Sequence, residues 1–198
     1  VAGRAEDCLS FDLQPEIARR MGYGDRDGNL AVERFMKHYF LVAKSVGELT
    51  RVLCASLEAD HLDNAPRRRG TDGPSPAADG LRTVGGRLAV ADEAAFGERP
   101  ARLIKLFRLA QTGGQDIHPR TLRLVHQSLP LINRDLREDD EVNRLFMAIL
   151  IDKREPEVAL RRMNEAGVLG RLIPEFGRIV GQTQHDKYHV YTVDEHTL

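Results

Sequence analysis

The sequence predicts a mainly α fold, a helical bundle with one long helix and a small β-hairpin insertion. Three observations carry that expectation. A heptad-type apolar stripe runs through residues 30–61, helical punctuation by proline and glycine recurs from residue 95 onward, and one Gly-Gly dipeptide alone is flanked by β-prone runs. Phe35, Tyr39, Val42, Val46, Leu49, Leu53 and Leu57 step by three and four residues, which places them on one face of a single helix. Gly28-Asn29 precedes this helix and Asn64-Ala65-Pro66 follows it. The stripe ends after about three heptads, so it is expected to be the buried face of a core helix. A shorter helix is expected over Gln14–Met21, with Pro15 in its first turn and Gly22 just past its end.

Residues 64–80 (NAPRRRGTDGPSPAADG) lack an apolar period and read as a loop. Its Arg67-Arg68-Arg69 run is expected to be a solvated charge cluster. The hairpin follows at 81–91, where Gly85-Gly86 supplies the positive φ angles of a two-residue turn. Helical periodicity then resumes. Leu103, Leu106, Phe107 and Ala110 share a face that ends at Gly113-Gly114, and Pro119 opens a helix carrying Leu122, Val125 and Leu129. Val142, Leu145, Phe146, Ile149 and Leu150 form another face. Pro156 starts a helix with Ala159, Leu160 and Met163 that stops at Gly167. The segments after it carry Leu169, Leu172 and Ile173, then Phe176, Ile179 and Val180 beyond Pro174.

The 198 residues hold 29 Lys plus Arg against 30 Asp plus Glu, a net charge of −1, with no Trp and 6% aromatics. General nucleic-acid binding needs a basic surface, which this balance does not supply. No apolar run approaches the roughly 20 residues of a membrane-spanning helix, and the first residues carry no signal-peptide pattern. Cys8 and Cys54 are expected to be reduced thiols, with Cys54 in the core, which suits a cytoplasmic setting. The chain begins without Met and reads as a piece of something longer.

Two features bear on chemistry. Glu98-Arg-Pro-Ala-Arg102-Leu-Ile-Lys105 puts two cations one turn apart at a helix start, an arrangement that can hold a triphosphate; the plainer reading is a basic solvent face. His185, His189 and His196 lie among Asp186, Asp194 and Glu195, residue types that divalent metals favour, although such clusters are common on surfaces.

Several long strings, in order, resemble one family. They are Gly3-Arg4-Ala-Glu6, Glu33-Arg-Phe-Met-Lys-His-Tyr-Phe-Leu-Val-Ala-Lys44, Arg161-Arg-Met-Asn-Glu-Ala-Gly-Val-Leu-Gly170, Ile173-Pro-Glu-Phe-Gly-Arg-Ile-Val180 and Tyr191-Thr-Val-Asp-Glu-His-Thr197. Together they are similar to the bacterial bifunctional uridylyltransferase/uridylyl-removing enzymes that act on the nitrogen-regulatory protein PII. The resemblance implies that residues 1–170 are the helical domain of the uridylyltransferase half. It implies that 171–198 begin a metal-dependent phosphohydrolase domain of the His-Asp type. The parent would use UTP and Mg²⁺ or Mn²⁺ to add UMP to a tyrosine of PII, and would remove it by phosphodiester hydrolysis. No catalytic residue of the transfer reaction falls within these residues. His196 matches the first metal-ligand histidine of the phosphohydrolase motif, whereas His185-Asp186 precedes it and stands in the wrong order. Residues 96–107 resemble the helix that meets the incoming nucleotide in tRNA nucleotidyltransferases. Glu98, Arg102 and Lys105 are thereby nucleotide-binding candidates, with Arg99 where that pattern has Asp and Lys105 where it has Arg. Two alternatives accompany this reading: a non-catalytic helical linker or docking module, and a relative of glutamine synthetase adenylyltransferase, which the Tyr191–Thr197 string disfavours.

Overall fold

The computed structural model describes residues 9–63, 76–77, 79–182 and 192–193. Among these the fold is mainly helical with one small antiparallel sheet, as the sequence predicts. The chain divides into two compact units, Val1–Val46 with Glu175–Leu198, and Gly47–Pro174.

In the first unit a single 3₁₀ turn (Phe11–Leu13) leads into α1 (Gln14–Arg20), where Pro15 sits in the first turn. Glu16 draws in both Arg19 and Arg20 at 2.7–2.9 Å, and the Arg19 bond first, then that of Arg20, pulls its carboxyl down to about 2. Gly22 takes φ 80° and ends the helix. The start of α2 (Ala31–Asp63) is capped twice, because Asp25 accepts from the Ala31 amide at 2.7 Å and Glu33 from that of Leu30 at 2.9 Å. Ala18, Val32, Phe35 and Met36 form this unit's core, with Leu9, Ile17, Tyr23 and Phe40 packed on it. The last helix, α10 (Pro174–Ile179), is tied in when Lys37 Nζ donates to the Arg178 carbonyl at 2.6 Å.

Helix α2 departs from the expected core helix. Phe35 is buried, yet Tyr39, Val42, Val46, Leu49, Leu53 and Leu57 are between 45% and 68% exposed. Periodicity fixes which residues share a face, but burial also needs a neighbour, which spacing alone does not reveal. Cys54, expected in the core, is likewise an exposed free thiol; Cys8 lies outside the described residues.

The second unit opens on a three-stranded sheet in the order β1 (Pro76–Ala77), β2 (Leu81–Val84), β3 (Arg87–Val90). Gly85 and Gly86 take φ 55° and 76°, the two positive angles of a tight hairpin turn. Strand β1 falls inside the stretch read as loop. It has no pattern of its own and is held by pairing with Leu81 and Arg82. The outer edge of β3 is occupied as well: Leu88 donates to the Asp116 carbonyl and accepts from the His118 amide, both at 2.8 Å.

After the sheet come α3 (Ala95–Glu98), α4 (Arg102–Gly113), α5 (Pro119–Ser128), α6 (Arg134–Glu138), α7 (Asp140–Leu150), α8 (Pro156–Glu165) and α9 (Leu169–Leu172). Helix α4 is the hub and packs on α7 and α8. Its predicted face, Leu103, Leu106, Phe107 and Ala110, is buried to 2% exposure or less, with Ile104 beside it. Each such Leu or Phe stabilises the fold by roughly 1.5–3 kcal/mol. Gly114 ends α4 in the left-handed conformation at φ 59°. Asn133 caps α6 through the Leu136 amide, and Asp139 caps α7 through those of Glu141 and Val142. Of the predicted α7 face, Val142 and Ile149 are buried, Leu145 and Phe146 half-buried and Leu150 exposed.

Candidate functional site

Three cations converge on one carboxylate at the start of α4. The short helix α3 ends at Glu98, the chain turns through Arg99-Pro100-Ala101, and α4 starts at Arg102. This places Arg99, Arg102 and Lys105 at three-residue intervals, about one helical turn each. All three reach Asp79. Arg99 Nη1 donates to both its oxygens at 3.0 and 3.1 Å, Lys105 Nζ to Oδ2 at 3.0 Å, and Arg102 Nη2 to Oδ1 at 3.4 Å. Foremost the Lys105 hydrogen bond, and then the charges of Lys105 and Arg99, hold the Asp79 carboxyl below its usual range against the opposing effect of burial.

The far edges of the two guanidinium groups have partners borne by helices. Arg99 Nη2 donates to Glu141 on α7 at 2.9–3.0 Å, and this bond comes first in keeping Arg99 charged. Arg102 Nη1 donates to the Ala95 carbonyl at 2.8 Å and to Glu98 at 3.1 Å. Arg102 is therefore gripped from α3 while its Nη2 faces Asp79. Its Nε is buried and has no hydrogen-bond partner.

The structure thus brings Arg102 and Lys105 to one acceptor, with Glu98 supporting Arg102 from the solvent side. Sequence reasoning missed Asp79 and Glu141. The signal for Asp79 was the Asp79-Gly80 dipeptide, a turn pair just before β2. Asp79 and Gly80 take φ 70° and 75°. A Cβ on Gly80 would meet Arg102 Cζ at 3.2 Å, so the turn lies directly on the guanidinium.

A cavity of about 590 Å³ lies at the other end of α4, lined in part by Phe107, Gln111, Gly113, Arg154, Val158 and Arg162. Its arginines are bonded to the wall. Arg154 reaches the Thr112 carbonyl at 3.1 Å and Asp152 at 3.1 Å, and Arg162 reaches the Gln115 carbonyl at 3.1 Å and Asp116 at 2.6 Å. Beside it Asp152 also accepts from Arg108 at 2.6 Å, and Arg154 and Arg108 together hold its carboxyl far below the usual range.

Among the described residues no group of three His, Cys, Asp or Glu side chains is placed to hold a metal. His185, Asp186, His189, Asp194, Glu195 and His196, the candidate metal ligand, lie outside the described residues. No helix among the described residues is long and apolar enough to cross a membrane.

Comparison with known proteins adds the family. The description "GlnD PII-uridylyltransferase" matches residues 1–54, and "Uridylyltransferase GlnD third domain" matches residues 81–172. A protein of Azospirillum brasilense, a bifunctional uridylyltransferase/uridylyl-removing enzyme, is 51% identical over 206 positions, covering all of this chain and 22% of the relative. One of the same description from Rhodospirillum rubrum is 51% identical over 204 positions, covering all of this chain and 21% of that protein. No solved structure matches the chain. The chain spans about a fifth of the length of these curated relatives, and over that span it belongs to the bifunctional uridylyltransferase/uridylyl-removing family.

Proposed function

We propose that the polypeptide containing this chain adds UMP from UTP to a tyrosine of PII and removes it by metal-dependent phosphodiester hydrolysis, in the cytoplasm. The observation that carries this reading is the 51% identity along the entire chain to two relatives, each described by both activities. In this reading the chain contributes the helical segment of the transferase half. From about residue 171 it also contributes the entry to the hydrolase half. Arg102 and Lys105 steer the triphosphate of UTP through charge-assisted hydrogen bonds, and Glu98 orients Arg102. His196 supplies the first histidine to a Mg²⁺ or Mn²⁺ centre whose other ligands come from elsewhere in the polypeptide.

The test is His196→Ala in the full-length enzyme. Removal of UMP from modified PII is expected to disappear while UMP addition continues. Equal loss of both activities refutes the assignment of His196 to the hydrolytic centre.

A second reading, a non-catalytic linker or docking module, is favoured by one observation: Asp79, Glu98 and Glu141 match the three cations charge for charge. Calorimetry on the 198-residue chain separates the two, because a pure linker binds neither UTP nor Mn²⁺.

A further inference from the structure

We propose that Asp79 is a built-in competitor for the phosphate-binding face of Arg99, Arg102 and Lys105, and that the polyphosphate of a nucleoside triphosphate engages these cations by displacing it. This inference rests on the reading of Arg102 and Lys105 as nucleotide-binding residues and adds the regulation of that site.

Donor geometry is the first support. The helix-borne acceptors Glu98, Glu141 and the Ala95 carbonyl take the outer edges of the two guanidinium groups. The inner edges and the Lys105 ammonium are left aimed at a single point, which Asp79 fills. Binding a phosphate there leaves the outer contacts intact, so the cations stay in place while the anion changes.

Stoichiometry is the second. At the point where the three cations meet, a carboxylate offers two acceptor oxygens, whereas a terminal phosphate offers three. The Arg102–Asp79 contact is the longest of the set at 3.4 Å, and the buried Arg102 Nε goes without a partner. The donors therefore exceed what Asp79 accepts.

The third support is the mounting of Asp79. Glu98 and Glu141 sit on helices, but Asp79 is presented by a turn whose Gly80 carbonyl accepts from the Ala91 amide at 2.8 Å. Swinging the Asp79 side chain away costs no strand or helix hydrogen bond. Its carboxyl is held ionised well below neutral pH, so the competition operates at physiological pH.

The experiment is calorimetric titration of the 198-residue chain at low salt with inorganic triphosphate and, separately, with UTP. Asp79→Ala is expected to bind both at least about tenfold more tightly than the unaltered chain, since a charge-assisted competitor has been removed. Adding Arg102→Gln to Asp79→Ala is expected to abolish that gain. Equal affinities with and without Asp79 overturn the competitor while leaving the nucleotide site standing. A gain for UTP alone also overturns it, because the contested element is the phosphate. Absence of binding in every form overturns both readings. Asp79→Asn removes the charge with little change of shape, and it carries the same test if circular dichroism finds Asp79→Ala misfolded.

Discussion

Alanine at Gly167 tests both the backbone and the packing of the second unit. Gly167 follows α8 at φ 74°, and a Cβ built there falls 3.1 Å from Leu129 Cδ1. Leu129 is only 6% exposed, so its methyl has little room to retreat. The left-handed conformation costs an alanine about 1–2 kcal/mol, and a stiffer unfolded chain offsets part of that by about 0.4–1 kcal/mol. Crowding a buried methyl adds about 1 kcal/mol. Gly167→Ala is therefore expected to destabilise by about 2 kcal/mol. Two controls isolate the contributions. Gly114 has φ 59° with nothing within 4 Å of its Cβ position, so Gly114→Ala feels conformation alone and loses about 0.5–1 kcal/mol. Gly97 lies within α3 at an ordinary helical angle with open space around it, so Gly97→Ala gains about 0.5–1 kcal/mol. Urea denaturation of the three variants, followed by helical circular dichroism, reads the order directly. If Gly167→Ala loses no more than Gly114→Ala, the Leu129 contact is refuted; if Gly97→Ala destabilises, the helical assignment of α3 is.

Two further outcomes follow from the same packing. Phe107, 1% exposed at the centre of α4, is expected to lose about 3–5 kcal/mol on change to alanine, whereas Leu53→Ala on the exposed stripe of α2 stays within about 0.5 kcal/mol in the same denaturation assay. Asp152 has a depressed carboxyl pKa in the folded chain. Its contribution is thus complete above the ordinary value of about 4 and is lost as pH falls toward the much lower folded value. Thermal melts between pH 5 and 2 are expected to show a shallower acid loss for Asp152→Asn than for the unaltered chain, and identical slopes refute the ion pairs with Arg108 and Arg154.

Much of the architecture was legible because local rules sufficed. Gly85-Gly86 set the hairpin, and the spacing of Leu103, Leu106, Phe107 and Ala110 marked the buried face of α4. Proline marks the starts of α1, α5 and α8, and glycine the ends of α1 and α8. What escaped has physical causes. Helices α3 and α6, of four and five residues, are too short to display a period. Strand β1 exists only through its partner. Apolar character predicts burial for the stripe of α2 and the thiol of Cys54, yet the stripe beyond Phe35 and the thiol are exposed, because spacing says nothing of what lies opposite. At the site, the one-turn spacing of Arg102 and Lys105 was readable. The turn at Asp79-Gly80 is readable too, but not its meeting with Lys105, which stands 26 residues away and is reached only through the fold.

The pairing of Leu88 with the 116–118 segment has a consequence for how the molecule behaves in a crowded solution. An open strand margin recruits strands from other molecules and seeds sheet growth. Here Leu88 on the margin of β3 is already paired with the molecule's own backbone, and among the described residues the sheet's other flank is the two-residue strand Pro76–Ala77. A stop only two residues long, one of them lacking an amide hydrogen, is a poor template for fibril extension.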